Sequence, residues 1–216
     1  MGYANADYWR RELVSEELVP IEERGKVPVQ ILAAHAKFWG IKFRELSFSI
    51  AIHPPGESTD ERGAYLLRAY QSNGLFAWCE RNFFSVPYEQ EELELKTVQP
   101  VKIRVSRQDT EIFRAEMGML EGGELREPSR VTEEHWQGKV YLPPMDSRAP
   151  RGNKYFVARL QGLTRVYPFQ SGLDAIGIDP SRICPPLRML VESGFEPTEW
   201  WIRDQASHAK SKTYSR

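Results

Sequence analysis

The sequence predicts an α+β fold that is mostly antiparallel β, with a few short helices and a curved or closed sheet. Short segments in which apolar and polar residues alternate recur along the chain, and Gly, Pro and Asn separate them. Few windows show helical spacing, and no strand–helix repeat suggests a doubly wound sheet. The 216 residues suit a single domain, which we place at residues 1–205, with a flexible tail at 206–216.

The N-terminal part combines a helical pattern with a strand pattern. Residues 5–24 predict one helix or two short ones, with Asp7 as the cap before "YWRRELVSEEL" and an interruption at Pro20. The segment "ILAAHAKFWG" (31–40) is compatible with a buried helical turn or a strand, and the pattern does not decide between them. "FRELSFSIAIH" alternates up to the Pro-Pro-Gly at 54–56, which predicts a strand followed by a loop.

The central part predicts a helix and then a meander. "GAYLLRAYQ" is rich in aromatic and aliphatic residues and stops at the turn signal Ser72-Asn73-Gly74. "LFAWCERNFF" has no β-branched residue and places Phe76, Cys79 and Phe83 near helical spacing, which favours a short helix. "EELELKTV", "VKIRVSR" and "TEIFRAEMGM" are short and alternating, and they predict three antiparallel strands.

The C-terminal part predicts further strands and one helix. We predict a polar connection in "EGGELREPSRVTEE" and a strand in "GKVYLPPM". A basic loop follows in "RAPRGN", and then a long strand with a bend at Gly162 in "KYFVARLQGLTRVYPF". A short helix is predicted from Leu187 and a last strand in "EPTEWWIRD". The polar end "QASHAKSKTYSR" predicts a frayed tail.

Composition and charge exclude several classes of protein. Hydrophobic residues make up 41% and charged residues 27%, and the net charge of -1 gives no field that would attract nucleic acid or a membrane surface. There is no run of about 18 apolar residues that could span a membrane. The first residues are charged, without a signal-peptide pattern. We therefore expect a cytoplasmic protein in which Cys79 and Cys184 are reduced thiols.

Short motifs give no support for a cofactor. The four histidines are scattered, and none has a Cys or His partner at the spacing of metal ligands. The hydrolase motif G-x-S-x-G, the P-loop and G-x-G-x-x-G are absent. The bases of the tail are too few for nucleic-acid binding. We expect no metal or cofactor, no nucleic-acid or membrane partner, and a small-molecule ligand as the partner.

The candidate site residues lie in and around an aromatic-rich window. Tyr65 and Tyr70 belong to it; most of its rings are expected in the core, but a buried tyrosine hydroxyl needs a polar partner, so one or two could face a cavity. Glu89 is set apart from the acidic run at 89–94 because it directly follows a proline turn. Glu116 alternates with Arg114 in a predicted strand, where exposure is the more common outcome.

Residues 64–89, "AYLLRAYQSNGLFAWCERNFFSVPYE", resemble the central segment of the acetoacetate decarboxylases. The matching residues are Tyr65-Leu66, Tyr70, Asn73, Arg81 and Pro87, in the family's order and without a gap. A strand that ends in Ala-x-Met-Gly, here "AEMG" at 115–118, is also similar. The uncharacterised YqjF-like branch of the same superfamily is similar through "FFSVPY".

The resemblance implies a fold and a chemistry. The fold is a large, mostly antiparallel β cone or barrel with a few helices, often assembled into oligomers, and its interior cavity holds a small keto acid. In the family, two lysines follow the turn proline. One forms a Schiff base with the substrate ketone, and an adjacent cation together with burial lowers its pKa so that the free amine can attack.

This sequence departs from the family at the two lysine positions, which hold Tyr88 and Glu89. We expect Pro87 to turn both side chains inward toward one enclosed hollow, where Tyr88 would donate a proton or hydrogen bond and a buried Glu89 would act as base. Arg81 would neutralise Glu89 or hold an anionic ligand; alternatively, Arg81 and Glu89 simply pair and Tyr88 packs. The hypothesis is therefore lysine-independent ligand binding with acid–base chemistry. Its rivals are a non-catalytic binding or sensing module and a true decarboxylase whose lysine is supplied by Lys96 or Lys102.

Overall fold

The structure, a computed structural model, describes residues 1–38, 40–56, 61–144, 154–178 and 185–215. The predicted basic loop at 148–153 and Cys184 lie outside these ranges. None of the helices in the described ranges has the length and apolar character needed to cross a membrane.

The described residues form strands for the most part, with three α-helices. The strands are β1 Gly2–Asn5, β2 Val19–Pro20, β3 Lys26–Phe38, β4 Ile41–His53, β5 Gly63–Gln71, β6 Tyr88–Gln90, β7 Glu92–Lys96, β8 Lys102–Arg107, β9 Thr110–Glu116, β10 Arg130–Leu142, β11 Lys154–Pro168, β12 Ala175–Ile178, β13 Glu196–Pro197, β14 Glu199–Ile202, β15 Ser207–Lys210 and β16 Tyr214–Ser215. The helices are α1 Ala6–Leu13, α2 Gly74–Phe83 and α3 Pro185–Glu192.

The strands form two sheets. The large sheet has the order β13-β1-β3-β4-β5-β10-β11-β14, with β2 on β4, β6 on β5, and β15 and β16 on β11. The small sheet has the order β12-β9-β8-β7. Most pairings are antiparallel, as predicted; β5 is parallel to both β6 and β10.

The two ends of the large sheet approach each other through one short segment. β13 lies at one end and β14 at the other, and the single residue Thr198 separates them. The amides of Thr198 and Glu199 both donate to the carbonyl of Met1. The sheet is therefore strongly curved, although the pairings of the described residues do not close it into a continuous barrel.

The main core fills the space between the two sheets. Its buried members include Phe48 and Leu46 from β4 and Phe113 from β9, all 0% exposed, and the rings of Phe48 and Phe113 meet edge to face at 5.2 Å. A second, smaller cluster lies on the other face of the large sheet, where Ala77 of α2 covers Leu66 and Ala69 of β5. Burial of these apolar surfaces is the main contribution that stabilises the fold.

Several predicted elements are confirmed. β4 covers the alternating segment, and β7, β8 and β9 form the predicted antiparallel meander. α2 begins where the turn signal lies, because the side chain of Asn73 accepts a hydrogen bond from the Phe76 amide at 3.2 Å. α3 and β14 are present close to their predicted positions.

Other predictions are corrected near the N-terminus. Of the two alternatives predicted for residues 5–24, the structure has two short helices, α1 and a single 3₁₀ turn at Val14–Glu16. The cap of α1 is Asn5, which accepts from the Tyr8 amide at 2.9 Å, and Asp7 lies inside the first turn. Pro20 belongs to the short strand β2. The undecided segment at 31–40 belongs mostly to β3, because its apolar residues pair along the length of β4.

The C-terminal half contains more strand than expected. The polar connection ends early, since β10 begins at Arg130 and pairs with β11 along its whole length, through Gly162. The tail predicted to be flexible includes β15 and β16, both paired with β11. Its polar residues gave no apolar periodicity, because edge pairing satisfies the backbone without burying a face.

Candidate functional site

The turn at Pro87 positions Tyr88 and Glu89, the two residues that the resemblance predicts at the family's lysine positions. The amide of Ala69 donates to the Pro87 carbonyl at 3.2 Å, and β6 then runs parallel to β5. In this register Tyr88 lies beside Ala69, and Glu89 lies beside Tyr70. Because successive side chains of a strand point to opposite faces, Tyr88 and Glu89 face opposite ways.

This geometry corrects the expectation that both side chains enter one hollow. Tyr88 is 9% exposed and packs in the smaller cluster beneath α2. Glu89 lies on the other face, on the same side as Tyr70, which belongs to the main core. The two residues therefore have separate surroundings.

Glu89 belongs to a cluster of two arginines and two glutamates. Arg68 donates to Glu89 Oε1 at 2.6 Å, and Arg107 donates to Glu89 Oε2 at 2.8 Å. Arg107 also donates through Nε to Glu91 at 2.5 Å. The side chains are 20% exposed for Arg68, 25% for Glu89 and 10% for Glu91. Charge-assisted bonds in such a half-buried place hold all four groups in fixed positions.

One donor of this cluster is unused. The Nε of Arg68 is buried and has no hydrogen-bond partner among the described residues. A buried donor without a partner costs about 1–3 kcal/mol. An acceptor oxygen supplied by a ligand would remove that cost, so Arg68 offers a binding contact beside Glu89.

Tyr88 has a different partner, Glu45 of β4. Burial raises the pKa of Tyr88 well above its usual range, and the charge of Glu45 and the hydrogen bond to it act in the same direction. Burial also raises the pKa of Glu45, against the hydrogen bond from Tyr88 and the charge of Lys210, which lower it. Tyr88 therefore keeps its proton as a donor, and Glu45 is a carboxyl group whose proton affinity is increased.

The other predicted site residues are dispersed. Arg81 is exposed on α2, and Arg68 and Arg107 take the place predicted for it beside Glu89. Tyr65 is buried in the main core at 7% exposure. Glu116 pairs with Arg104 at 3.0 Å on the outer face of the small sheet.

An open groove of about 670 Å³ adjoins the arginine–glutamate cluster. Arg44, Ser72, Glu91 and Asp109 are among its lining residues. Neither Tyr88 nor Glu89 lines this groove, in contrast to the predicted enclosed cavity beside residue 88. Glu91 belongs to both the groove and the cluster, so the two adjoin at this residue.

Four residues of these sites were missed by the sequence analysis, and one of them, Glu91, had been left in the acidic run at 89–94. Arg68 carried a usable signal, because a charged residue inside the apolar segment "YLLRAY" must find a partner when the strand is buried. Glu45 and Arg107 carried none, because each meets position 88 or 89 only through sheet contacts that the sequence does not reveal. No group of three or more potential metal ligands occurs within the described residues.

Comparisons with known proteins bear on the fold. No protein-family model and no curated protein matches the sequence. Among solved structures, an acetoacetate decarboxylase from Legionella pneumophila is 9% identical with a TM-score of 0.57, and the match covers 100% of this chain and 82% of that one. An acetoacetate decarboxylase-like enzyme from Sphingomonas wittichii is 13% identical with a TM-score of 0.52, covering 100% and 89%.

A third similar structure is the enduracididine biosynthesis enzyme MppR complexed with pyruvate. It is 8% identical with a TM-score of 0.55, and the match covers 99% of this chain and 82% of that one. Identities this low carry information about architecture and not about activity. These matches over 99–100% of the chain, together with the mostly antiparallel strands and three short helices, show that the chain has the acetoacetate decarboxylase-like fold.

Proposed function

We propose that the chain binds a small organic acid with a keto or carboxylate group beside Glu89, Arg68 and Arg107, and that it does so without forming a Schiff base. The observation that carries the proposal is the unused, buried Nε donor of Arg68 next to a fixed carboxylate. The similar structure of MppR was obtained with pyruvate, which makes pyruvate and acetoacetate the first probes.

The arrangement suits recognition of an anionic oxygen. Glu89 accepts bonds from two arginines, one on each of its oxygens, so it fixes the orientation of both guanidinium groups. Arg68 then presents its remaining donor in a place where water is partly excluded, and a charge-assisted bond there is worth about 1.5–3 kcal/mol. The groove bordered by Glu91 provides the entrance.

The lysines near the arginine–glutamate cluster in sequence support the absence of an imine there. At the two positions that the resemblance assigns to lysines, Tyr88 and Glu89 have no amine. Lys96 and Lys102 pair across β7 and β8 on the outer face of the small sheet, where Lys102 lies 3.8 Å from Glu94. Neither is directed to the core, which supports binding over a decarboxylase with a relocated lysine.

Calorimetric titration with pyruvate and acetoacetate tests the proposal. We expect saturable binding, and we expect Arg68→Gln to weaken it at least about tenfold, since one charge-assisted bond exceeds about 1.4 kcal/mol. The matched control is Arg165→Gln, which removes a surface arginine paired with Asp204 at 2.5 Å and should bind like the wild type. Equal affinity of the two variants, or no binding by the wild type, would refute the proposal. Borohydride treatment with acetoacetate should give no covalent adduct; an adduct on any lysine would refute the absence of an imine.

Acid–base catalysis is a second candidate function, and the contact between Tyr88 and Glu45 favours it. Tyr88 would donate a proton, with Glu45 and not Glu89 as its partner carboxyl. Turnover assays on Tyr88→Phe and Glu89→Gln distinguish acid–base catalysis from ligand binding alone. Loss of turnover in Tyr88→Phe alone would support the Glu45 pair, and unchanged turnover in both variants would leave binding as the function.

A further inference from the structure

Lys210 occupies a half-buried site between α2 and the large sheet. Its ammonium forms an ion pair with Glu80 of α2. It also lies over two aromatic rings, 4.7 Å from the centroid of Phe156 and 5.4 Å from that of Phe84. The side chains of Lys210 and Glu80 are only 19% and 25% exposed.

The surroundings of this ammonium have the composition of a cation-binding site. A carboxylate and two aromatic faces stabilise an ammonium that is partly removed from water. A second carboxyl, that of Glu45, is close enough to interact electrostatically with Lys210. Gln71, directly opposite Glu45 in the sheet and 2% exposed, has a buried Oε1 that lacks a hydrogen-bond partner within the described ranges. An unused acceptor therefore lies on the same face of the sheet as Glu45, which interacts with Lys210.

The segment that carries Lys210 buries little apolar surface. β15 has four residues, the first three of them exposed, and within the described ranges its strand pairing is with β11. Beyond it, Ser211 bonds to Val157, Thr213 donates to the Phe84 carbonyl, and Tyr214 stacks on Tyr155. Segments with little buried apolar surface open locally at low cost.

We propose that Lys210 is a tethered occupant of a binding site for a primary alkylammonium group, and that residues 207–215 leave β11 when such a ligand takes the site. The ligand would place its ammonium between Glu80, Phe156 and Phe84, and because it is not tethered to β15 its position is free to adjust toward the Oε1 of Gln71. This site lies on the face of the sheet opposite the arginine–glutamate cluster, and it selects a cation where that cluster selects an anion.

The first experiment uses n-butylammonium as the probe for the lysine side chain. We expect the Lys210→Ala variant to show a saturable rise in melting temperature with n-butylammonium, but not with n-butanol or sodium chloride at the same concentrations. Adding Glu80→Gln to this variant should abolish the rise. The matched control is Lys212→Ala, which removes an exposed lysine from the same segment, 5.5 Å from the Tyr214 ring. A rise of equal size in the Lys212→Ala variant, or none in the Lys210→Ala variant, would overturn the proposal.

The second experiment uses the unaltered chain and does not depend on a variant that folds. A tethered group has an effective concentration of order millimolar, so the probe is titrated well above that level. Amide hydrogen exchange of residues 207–215 should accelerate with n-butylammonium and not with sodium chloride. Unchanged exchange across the titration would show that the segment is not displaced and would overturn the proposal.

Discussion

The buried ion pair between Arg126 and Asp174 gives the sharpest test of how this fold is held together. The two side chains are 4% and 0% exposed. Asp174 accepts two bonds from Arg126, at 2.7 and 2.9 Å, and further bonds from the amides of Gly118 and Gln170 and from the indole of Trp200. One carboxylate thus joins the end of β9, the segment after β11, and β14.

Replacing Asp174 with Asn should be strongly destabilising. The substitution leaves Arg126 buried without a counter-charge, and it turns one acceptor oxygen into an NH2 group that faces existing donors. Removing one partner of a buried pair costs about 3–5 kcal/mol, because the remaining charge cannot return to water. We expect a loss of this size in the free energy of unfolding.

Urea denaturation of Asp174→Asn and Asp204→Asn measures the difference. Asp204 pairs with Arg165, but these side chains are 44% and 37% exposed, so solvent screens the pair and its loss should cost no more than about 1 kcal/mol. Comparable m-values would show that both variants unfold from a native-like state. A loss in Asp174→Asn as small as in the control would mean that water or a rearranged side chain compensates Arg126, and the reasoning would be refuted.

Three further predictions concern the motif glycine, a titrating carboxyl and the core. Gly118→Ala should destabilise the fold by more than about 1 kcal/mol, because a Cβ there would lie 2.3 Å from the Leu173 carbonyl oxygen. The control Gly172→Ala, which has open space around it, should be nearly neutral in the same urea experiment. Burial raises the pKa of Glu45 above 4.5, so the stability from this group is present below pH 4.5 and is lost as pH rises through the folded-state pKa. The unfolding free energy of Glu45→Gln relative to wild type should therefore increase with pH. A difference that does not change with pH would contradict the raised pKa. Phe48→Ala should cost about 3–5 kcal/mol by leaving a cavity between the sheets, and a loss below about 1 kcal/mol would show that the core collapses around the site.

The sequence predicted well those elements whose signal is local. The alternation in "FRELSFSIAIH" and in the three meander strands reports which face of each strand is buried, and the Asn73 cap marks the start of α2. The "AEMG" segment of the resemblance also acquires a physical reason. Gly118 has no space for a side chain, and Met117 is 1% exposed in the main core.

Failures occurred where the outcome depends on pairing partners. β15 and β16 are edge strands that bury no continuous apolar face, so their polar sequence resembled a free tail. The opposite orientation of Tyr88 and Glu89 can be predicted from strand periodicity, once the residues after Pro87 are assigned to a strand. Their partners cannot be predicted in this way, because Glu45, Arg68 and Arg107 reach them from three other strands.

The chemistry at positions 88 and 89 is separable from the fold that holds them. Their positions follow from backbone features, namely the Pro87 carbonyl bonded to the Ala69 amide and the parallel ladder between β5 and β6. Neither feature requires a particular side chain at 88 or 89. The architecture therefore tolerates a phenol and a carboxylate at the two positions that the resemblance assigns to lysines, provided that each group is compensated on its own face. Glu45 does this for Tyr88, and the two arginines do it for Glu89. In the proposed function these partners, and not the fold, set the ligand class.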